Sequence, residues 1–524
     1  MSALNAASSP VTPSVPAGID PVSYQRRWFI LGLMCLSLVL VVATVSSVNV
    51  AIPSIAGELK PTDTELLWIV DAYAVAFAGL LLPAGAIGDK YGRKGALQAG
   101  FLVFIAGSVL SSLSSDPTVL IGMRIIMGAG AALIMPSTLS LLTTVFPPAE
   151  RPKAFGIWSG FAGAGGALGP LLGGALVGRF WFGSVFLVPA FIAVIALAAI
   201  TLGAPRAIDK HKARTDLVGT VLSIVGFVGL LFGIIEGGDL GWGDPFTVGA
   251  FVLSVIGFVG FVAYERRRDE PLLDVTFFKN RRFSTGAFGI TFVFLCTFSL
   301  FYVLTQYLQY VKGYSPFMSG VRGLPFAFTM IIVAPRGPRI VLRFGLRRTV
   351  TIGMTCVAAG LGLMSFIDQG SGYLHIVASM VLTALGPALC ISNLTTGIIA
   401  TVPPNKAGVG SAVNDVTREV GGAIGIALIG TIANSVYKSR LTSKLAELPP
   451  DLLDFAGDSV AKANIVAEQV MSSMGAEVSQ RIEEAAKQSF IDSLSVGLKV
   501  SALLAVAVAV VFSRVIPTEQ IRHD

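Results

Sequence analysis

The sequence predicts an all-α membrane protein of fourteen transmembrane helices, built as two six-helix bundles with two inserted helices. Three observations point there. Of 524 residues, 53% are hydrophobic and only 13% charged, against about 25% charged in soluble domains. The apolar residues gather in fourteen runs long enough to cross a bilayer, which takes about 20 residues. The basic residues gather in alternate short loops between those runs.

Residues 1–24 are rich in Ser, Ala and Pro and predict a disordered cytoplasmic N-terminus. The first apolar run starts late and is too long for a cleavable signal peptide, so none is expected. Spans 28–52, 66–88, 95–115, 117–142, 154–178 and 183–204 form an N-terminal bundle within 25–205. Spans 216–236 and 247–264 are the inserted pair, within a segment 206–282 that ends in a basic cytoplasmic linker. Spans 284–309, 316–335, 349–367, 372–399, 408–434 and 493–515 form a C-terminal bundle within 283–515. Residues 516–524 are a cytoplasmic tail.

Segment 435–492 is the one substantial polar insertion, external in this topology. Leu441, Leu445, Leu452, Leu453, Val460, Ile465, Val470, Met471 and Met474 recur among its acids and small residues. That spacing predicts two short amphipathic helices on the outer mouth, with a solvated loop as the alternative.

Charge sets the orientation. With the N-terminus inside, only Lys60, Arg179, Lys312 and Arg322 of the 38 Lys and Arg fall in short external loops. Most of the others lie inside, which is the expected bias. Confinement to short loops also removes the net charge of +7 as a sign of nucleic-acid binding. Cys35, Cys296, Cys356 and Cys390 lie in apolar runs without metal spacing and predict small buried side chains. The histidines, His211, His375 and His523, fall in loops or the tail, which argues against a histidine-based catalytic site.

A basic turn, Gly85-Ala-Ile-Gly-Asp-Lys-Tyr-Gly-Arg-Lys94, joins spans 2 and 3. Gly85 and Gly88 allow close helix approach, and Gly92 a tight turn. Asp89 can accept hydrogen bonds from a neighbouring helix N-terminus, while Lys90, Arg93 and Lys94 anchor to the anionic inner leaflet. The turn repeats as Arg339-Ile-Val-Leu-Arg-Phe-Gly-Leu-Arg-Arg348. Aligning Gly92 with Gly345 matches Lys90 to Arg343 and Lys94 to Arg347, whereas Asp89 falls on Leu342. Two such turns, each after the second span of six, are the sequence evidence for two halves.

Three stretches carry candidate mechanism. In span 5, Gly165, Gly169 and Gly173 recur every four residues and Pro170 can bend the helix. A smooth, bendable face suits an interface between rocking halves; ordinary packing is the alternative. In span 4, Arg124 lies inside the membrane, where an arginine costs several kcal/mol unless paired or hydrated. Asp71 in span 2 lies at similar depth, so an Asp71–Arg124 ion pair is expected. In span 13, Asn414, Asp415, Arg418 and Glu419 form the densest intramembrane charge in the chain. Arg418 can pair with Asp415 at i,i+3, which leaves Glu419 as a proton carrier. Mutual neutralisation of all three is the alternative. In span 9, Tyr302, Gln306 and Tyr310 recur at i, i+4, i+8 as a polar-aromatic stripe.

These motifs resemble the major facilitator superfamily, and within it the fourteen-helix drug:proton antiporters of the quaternary-ammonium and multidrug exporter type. Gly85–Lys94 is similar to the family's loop motif, Leu120–Ala131 to its helix-4 arginine motif, and Gly165–Gly174 to its antiporter motif. Asn49-Val-Ala-Ile-Pro53 and Trp68–Tyr73 are similar to its helix-1 and helix-2 signatures. The resemblance implies alternating access in a bacterial cytoplasmic membrane with both termini inside. It implies efflux of hydrophobic, often cationic compounds against inward proton flow, and hence antibiotic resistance. Asp71, Arg124, Asp415 and Glu419 would couple protons. Gly85, Asp89, Gly92, Arg93, Gly169 and Pro170 would serve the conformational switch. Thr44, Asn49, Trp158 and Phe161 would contact substrate, joined by Tyr302, Gln306, Tyr310 and Asn414. No cofactor or metal, no nucleic acid and no second copy is expected; the partners are a small molecule, protons and lipid.

One departure stands out. The family commonly has an aspartate where this chain has Thr44. Either Asp71 or Glu419 takes over its role, or the substrate is neutral, zwitterionic or lipid-like. An exporter of an endogenous lipid or metabolite is the second reading. Nutrient uptake and a membrane enzyme rank below it.

Overall fold

A computed structural model describes residues 19–205 and 216–516. Among these the chain is helical, without strands. The helices are α1 (Pro21–Gln25), α2 (Arg27–Leu59), α3 (Asp63–Tyr91), α4 (Arg93–Ser112), α5 (Pro117–Val145), α6 (Arg151–Val177) and α7 (Ser184–Gly203). The pair α8 (Leu217–Asp239) and α9 (Pro245–Glu265) follows. Then come α10 (Arg281–Gln306), α11 (Pro316–Val333), α12 (Gly337–Phe344), α13 (Leu346–Met364) and α14 (Tyr373–Thr401). The chain closes with α15 (Ala407–Lys444), α16 (Pro450–Gly457), α17 (Val460–Met474) and α18 (Ala476–Val515).

Thirteen helical stretches among the described residues are long and apolar enough to cross a membrane. The fourteenth predicted span is α13, which packs along α14 and α18. It falls short because Arg347 and Arg348 occupy its first turn. The protein is thus a multi-pass membrane protein.

Local chemistry sets the helix starts. Asp116, Asp216, Asp244 and Ser315 each accept a backbone N–H from the helix they precede, and Thr62 and Glu65 form a capping box. The two basic turns share a backbone conformation that favours glycine: Gly92 has φ 98° and Gly345 φ 81°. Their basic residues share a task as well. Lys94 Nζ donates to the carbonyls of Thr201 (2.8 Å) and Ala204 (2.7 Å) at the end of α7. Its counterpart Arg347 donates through Nε to the Ile516 carbonyl (2.7 Å) at the end of α18. A cation at a helix C-terminus satisfies orphan carbonyls and opposes the helix dipole.

Two large cores are distinct. One joins α2 to α7 around Leu97, Phe101, Phe104, Met127 and Phe155. The other joins α10 to α18 around Phe283, Met354, Leu361, Met380 and Leu498. Helix α8 lies along the seam between them, against α9, α3 and α15.

Several expectations need correcting. Residues 1–18 lie outside the described residues, but Pro21–Gln25 is a helix capped by Asp20 rather than disordered. Residues 206–215 and 517–524, with His211 and His523, also lie outside them. Segment 435–492 holds the two short helices expected, α16 and α17, but they are not an isolated insertion. Helices α15 and α18 run on through the segment and pack against them. Leu441, Leu445, Val460, Ala463, Val466, Val470, Ile482 and Ala486 are buried in continuity with the C-terminal core, and Tyr437 Oη donates to the Ala456 carbonyl (3.2 Å). Ile465 and Met471 stay exposed. The stripe in span 9 is interrupted, because Tyr307–Val311 forms a π-helical turn. That extra residue per turn takes Tyr310 off the face of Tyr302 and Gln306, and its ring packs edge-on to Phe490 of α18.

Close packing rests on particular glycines. A methyl group on Gly130 of α5 would lie 2.5 Å from the Phe104 nitrogen of α4, whereas nothing lies within 4 Å of one on Gly122. Gly130→Leu is therefore expected to destabilise by about 3 kcal/mol or more through overpacking and to abolish monodisperse protein. Gly122→Leu should leave yield and thermal unfolding unchanged. Size-exclusion profiles and melting curves of the two variants check this.

Candidate functional site

At one end of the seam, Asp89 in the last turn of α3 meets the first turn of α15. Its Oδ1 accepts the Gly408 N–H (2.8 Å) and its Oδ2 the Val409 N–H (3.0 Å). The carboxylate thus caps a helix of the other half. Arg93 Nη2 lies 3.5 Å from Asp89 Oδ1 and donates to the Pro404 carbonyl just before α15. Its Nη1 donates to the Ser140 carbonyl and to Thr143 Oγ1 (3.2 Å each). Gly85 makes the approach possible, since a methyl group there would lie 2.5 Å from the Gly408 carbonyl and 2.8 Å from Ala412 Cβ. The backbone of Pro170 and Leu171, within α6, lies against Gly320 of α11.

The glycine face of span 5 is not where its spacing suggested. Gly165, Gly169 and Gly173 pack on Val42, Ala43 and Ser47 of α2, inside the N-terminal half. The face of α6 that meets the other half carries Gly156, Gly160, Gly163 and Gly174, against Ala334, Met330 and Phe317. Gly156, Gly160 and Gly163 escaped the sequence reading, and Gly174 entered it only as the end of the Gly165–Gly174 motif, because the spacing of the four is irregular. Which face of a helix meets which partner is a tertiary property.

Midway along the seam, α15 carries the charged cluster. Arg418 Nη1 lies 3.6 Å from Asp415 Oδ1, the expected i,i+3 pair. The guanidinium sits between the rings of Phe294 (4.7 Å) and Trp158 (5.4 Å), which belong to different halves. Trp158 is fully buried and donates to Thr138 Oγ1 (3.2 Å). Asn414 donates to Asp415 Oδ1 (3.3 Å) and accepts from Thr395 Oγ1 (2.7 Å). Asp415 Oδ2 and Arg418 Nε are buried without a hydrogen-bond partner. Glu419 is partly exposed, and among the described residues no hydrogen bond or ion pair closes on it. It lies within electrostatic reach of Tyr73 on α3.

Tyr73 connects this cluster to Arg124, whose guanidinium stacks on its ring at 4.6 Å. Arg124 is completely buried. Its Nε donates to the Ile69 carbonyl (2.8 Å) and its Nη2 to the Val70 carbonyl (3.2 Å), while Nη1 has no partner. Backbone carbonyls therefore take the hydrogen bonds of the arginine, and Asp71 acts on it electrostatically. Asp71, the next residue along, lines a cleft between α3 and α8 with Trp68, Phe232 and Glu236. Glu236, an acid within an apolar run, was visible in the sequence and was passed over.

The remaining candidates are dispersed. Thr44 is buried, and its hydroxyl donates to the Leu40 carbonyl of its own helix (2.8 Å). Asn49 is exposed, whereas Phe161 and Gln306 are partly so. Tyr302 is directed at Gly430 of α15. Among the described residues no group of three or more His, Cys, Asp or Glu could hold a metal ion.

Comparisons with known proteins agree with this arrangement. The family model described as Major Facilitator Superfamily matches residues 34–426. The chain is 34% identical over 438 residues to the puromycin resistance protein pur8 of Streptomyces alboniger, covering 82% of this chain and 86% of that one. It is 30% identical to the multidrug resistance protein Stp of Mycobacterium tuberculosis, covering 89% and 87%. It is also 30% identical to the tetracenomycin C resistance and export protein of Streptomyces glaucescens, covering 94% and 93%. A crystal structure of a bacterial homologue of the human lysosomal transporter Spinster superposes with a TM-score of 0.57 at 17% identity, over 95% of this chain and 98% of that one. The protein is a transporter rather than an enzyme, and the chain belongs to the Major Facilitator Superfamily.

Proposed function

We propose that this protein is a drug:proton antiporter of a bacterial cytoplasmic membrane, with both termini inside. It exports hydrophobic, often cationic compounds by alternating access. The observation that carries the reading is the charged cluster at the seam, where Glu419 has no hydrogen bond or ion pair among the described residues and lies within electrostatic reach of Arg418 and Tyr73. A carboxylate in a low-dielectric seam is stabilised by a proton or by a cationic cargo. If only one of them occupies it at a time, inward proton flow drives cargo outward. Similar proteins named for resistance and export support the direction. The contact of Asp89 with α15 holds the inner mouth shut in this structure, and its release opens the site to the cytoplasm. Substrate, protons and lipid are the only partners needed; neither a cofactor nor a second copy takes part.

A second reading is favoured by Thr44. With its hydroxyl turned onto Leu40, span 1 offers the cargo no carboxylate, which suits a neutral or lipid-like metabolite.

Purified protein in sealed vesicles, given a pH gradient and a panel of cationic and neutral compounds, separates the two. Movement of cationic drugs supports the first, and movement of lipid-like compounds alone the second. No movement of any compound overturns both. Glu419→Gln should keep cargo exchange and lose its dependence on the pH gradient, measured in the same vesicles. Asp89→Asn removes a charge from two hydrogen bonds worth roughly 1.5–3 kcal/mol each. It should raise labelling of an inner-mouth cysteine at least about tenfold and slow transport, with the fold intact.

A further inference from the structure

A second pair of acids lies at the inner end of the inserted helices. Asp216 caps α8, its Oδ1 accepting the Gly219 N–H (2.9 Å), while its Oδ2 is buried without a partner. Glu265 is the last residue of α9. It is 2% exposed, and neither of its carboxylate oxygens has a hydrogen-bond partner. Both carboxyls crowd the same side of Gly219. A methyl group there would run into Glu265 Oε1 and lie 3.0 Å from Asp216 Oδ2. The N–H groups of Leu272 and Leu273 approach Glu265 without completing a hydrogen bond. Of the charged groups on α8, on the linker 266–280 and before α15, Asp216 and Lys406 reach Glu265 electrostatically. Lys406 Nζ donates to the Pro271 carbonyl (3.0 Å), and Asp274 of the linker feels the same ammonium.

Two ionised carboxylates packed together with no bridging cation repel strongly, and each orphan oxygen adds a desolvation penalty. A single proton relieves both. The O–H of one carboxyl then donates to an oxygen of the other, and the pair keeps one negative charge, which the Lys406 ammonium balances. We propose that Asp216 and Glu265 form a proton-binding site that holds one proton between them at the cytoplasmic end of the inserted pair. The site is separate from the seam cluster and faces the compartment from which cargo is drawn. Lys406 immediately precedes Ala407, Gly408 and Val409, the turn that Asp89 caps. Losing the shared proton strengthens the pull on Lys406 and through it strains that turn. The inserted helices thereby report cytoplasmic proton activity to the inner mouth.

The test needs no transport, so its failure is distinct from failure of the antiporter reading. Infrared spectra of full-length purified protein are recorded between neutral and alkaline pH. The carbonyl stretch of a protonated carboxyl should be present at neutral pH and vanish on alkalinisation. One carboxyl's share of it should be missing at neutral pH both in Glu265→Gln and in Asp216→Asn. A band unchanged in both variants overturns the proposal; that is also the outcome if an alkali cation bridges the pair. Loss in only one variant overturns the sharing, since a lone acid then holds the proton. Asparagine can still cap α8 through its carbonyl, so Asp216→Asn decides the matter should Glu265→Gln fail to fold.

Discussion

The carboxylate of Asp89 against the bare N–H groups of Gly408 and Val409 is the contact from which the rest of the arrangement follows. A helix start in a membrane protein has unsatisfied donors and a positive dipole end, and here an acid of the opposite half satisfies them. The contact is strong because it is charge-assisted and nearly dry, and it sits beside apolar packing of Leu82 and Ala86 of α3 on the C-terminal core. Arg93 reinforces it from the same turn by reaching the Pro404 carbonyl. The internal repeat does not copy this device. Leu342, at the position equivalent to Asp89, is 69% exposed, so the lock is built on one side only.

Charge inside the seam is distributed in a way that keeps it available. Arg124 is tied to backbone carbonyls of α3, and Arg418 is held between two rings and one carboxylate. Each cation stays buried without exhausting its donors. Partly satisfied polar groups in a low-dielectric setting respond strongly to any added proton or charge. The glycines of α6 bring it into close backbone approach with α11 and the turn after it across the seam.

What could be read in the sequence follows from what depends on one helix at a time. Hydropathy located the spans, because crossing a bilayer requires a long apolar run whatever its neighbours. The alignment of Gly92 with Gly345 was legible because a positive φ demands a particular residue. The Asp415–Arg418 pair was legible because i,i+3 spacing is local. Asp71 reaches Arg124 electrostatically, but the hydrogen bonds of the guanidinium go to backbone carbonyls, which leave no trace in sequence. Gly165, Gly169 and Gly173 were found as a face but placed on the wrong partner. Tyr310 left its stripe because one extra residue in a π-turn cannot be seen in a regular periodicity. Segment 435–492 showed its amphipathic helices, yet nothing local announced that α15 and α18 would continue through it.

That continuation has a mechanical meaning. Helix α15 is unbroken for 38 residues, a length of about 57 Å at 1.5 Å per residue. Its first turn is gripped by Asp89, its first third bears Asp415, Arg418 and Glu419, and its far end is embedded in the cap through Tyr437 and Leu441. A rod of that length cannot tilt at one end and stay still at the other. One continuous helix therefore ties the Asp89 contact at its start to the cap of α16 and α17 at its far end, so a displacement of either is carried to the other.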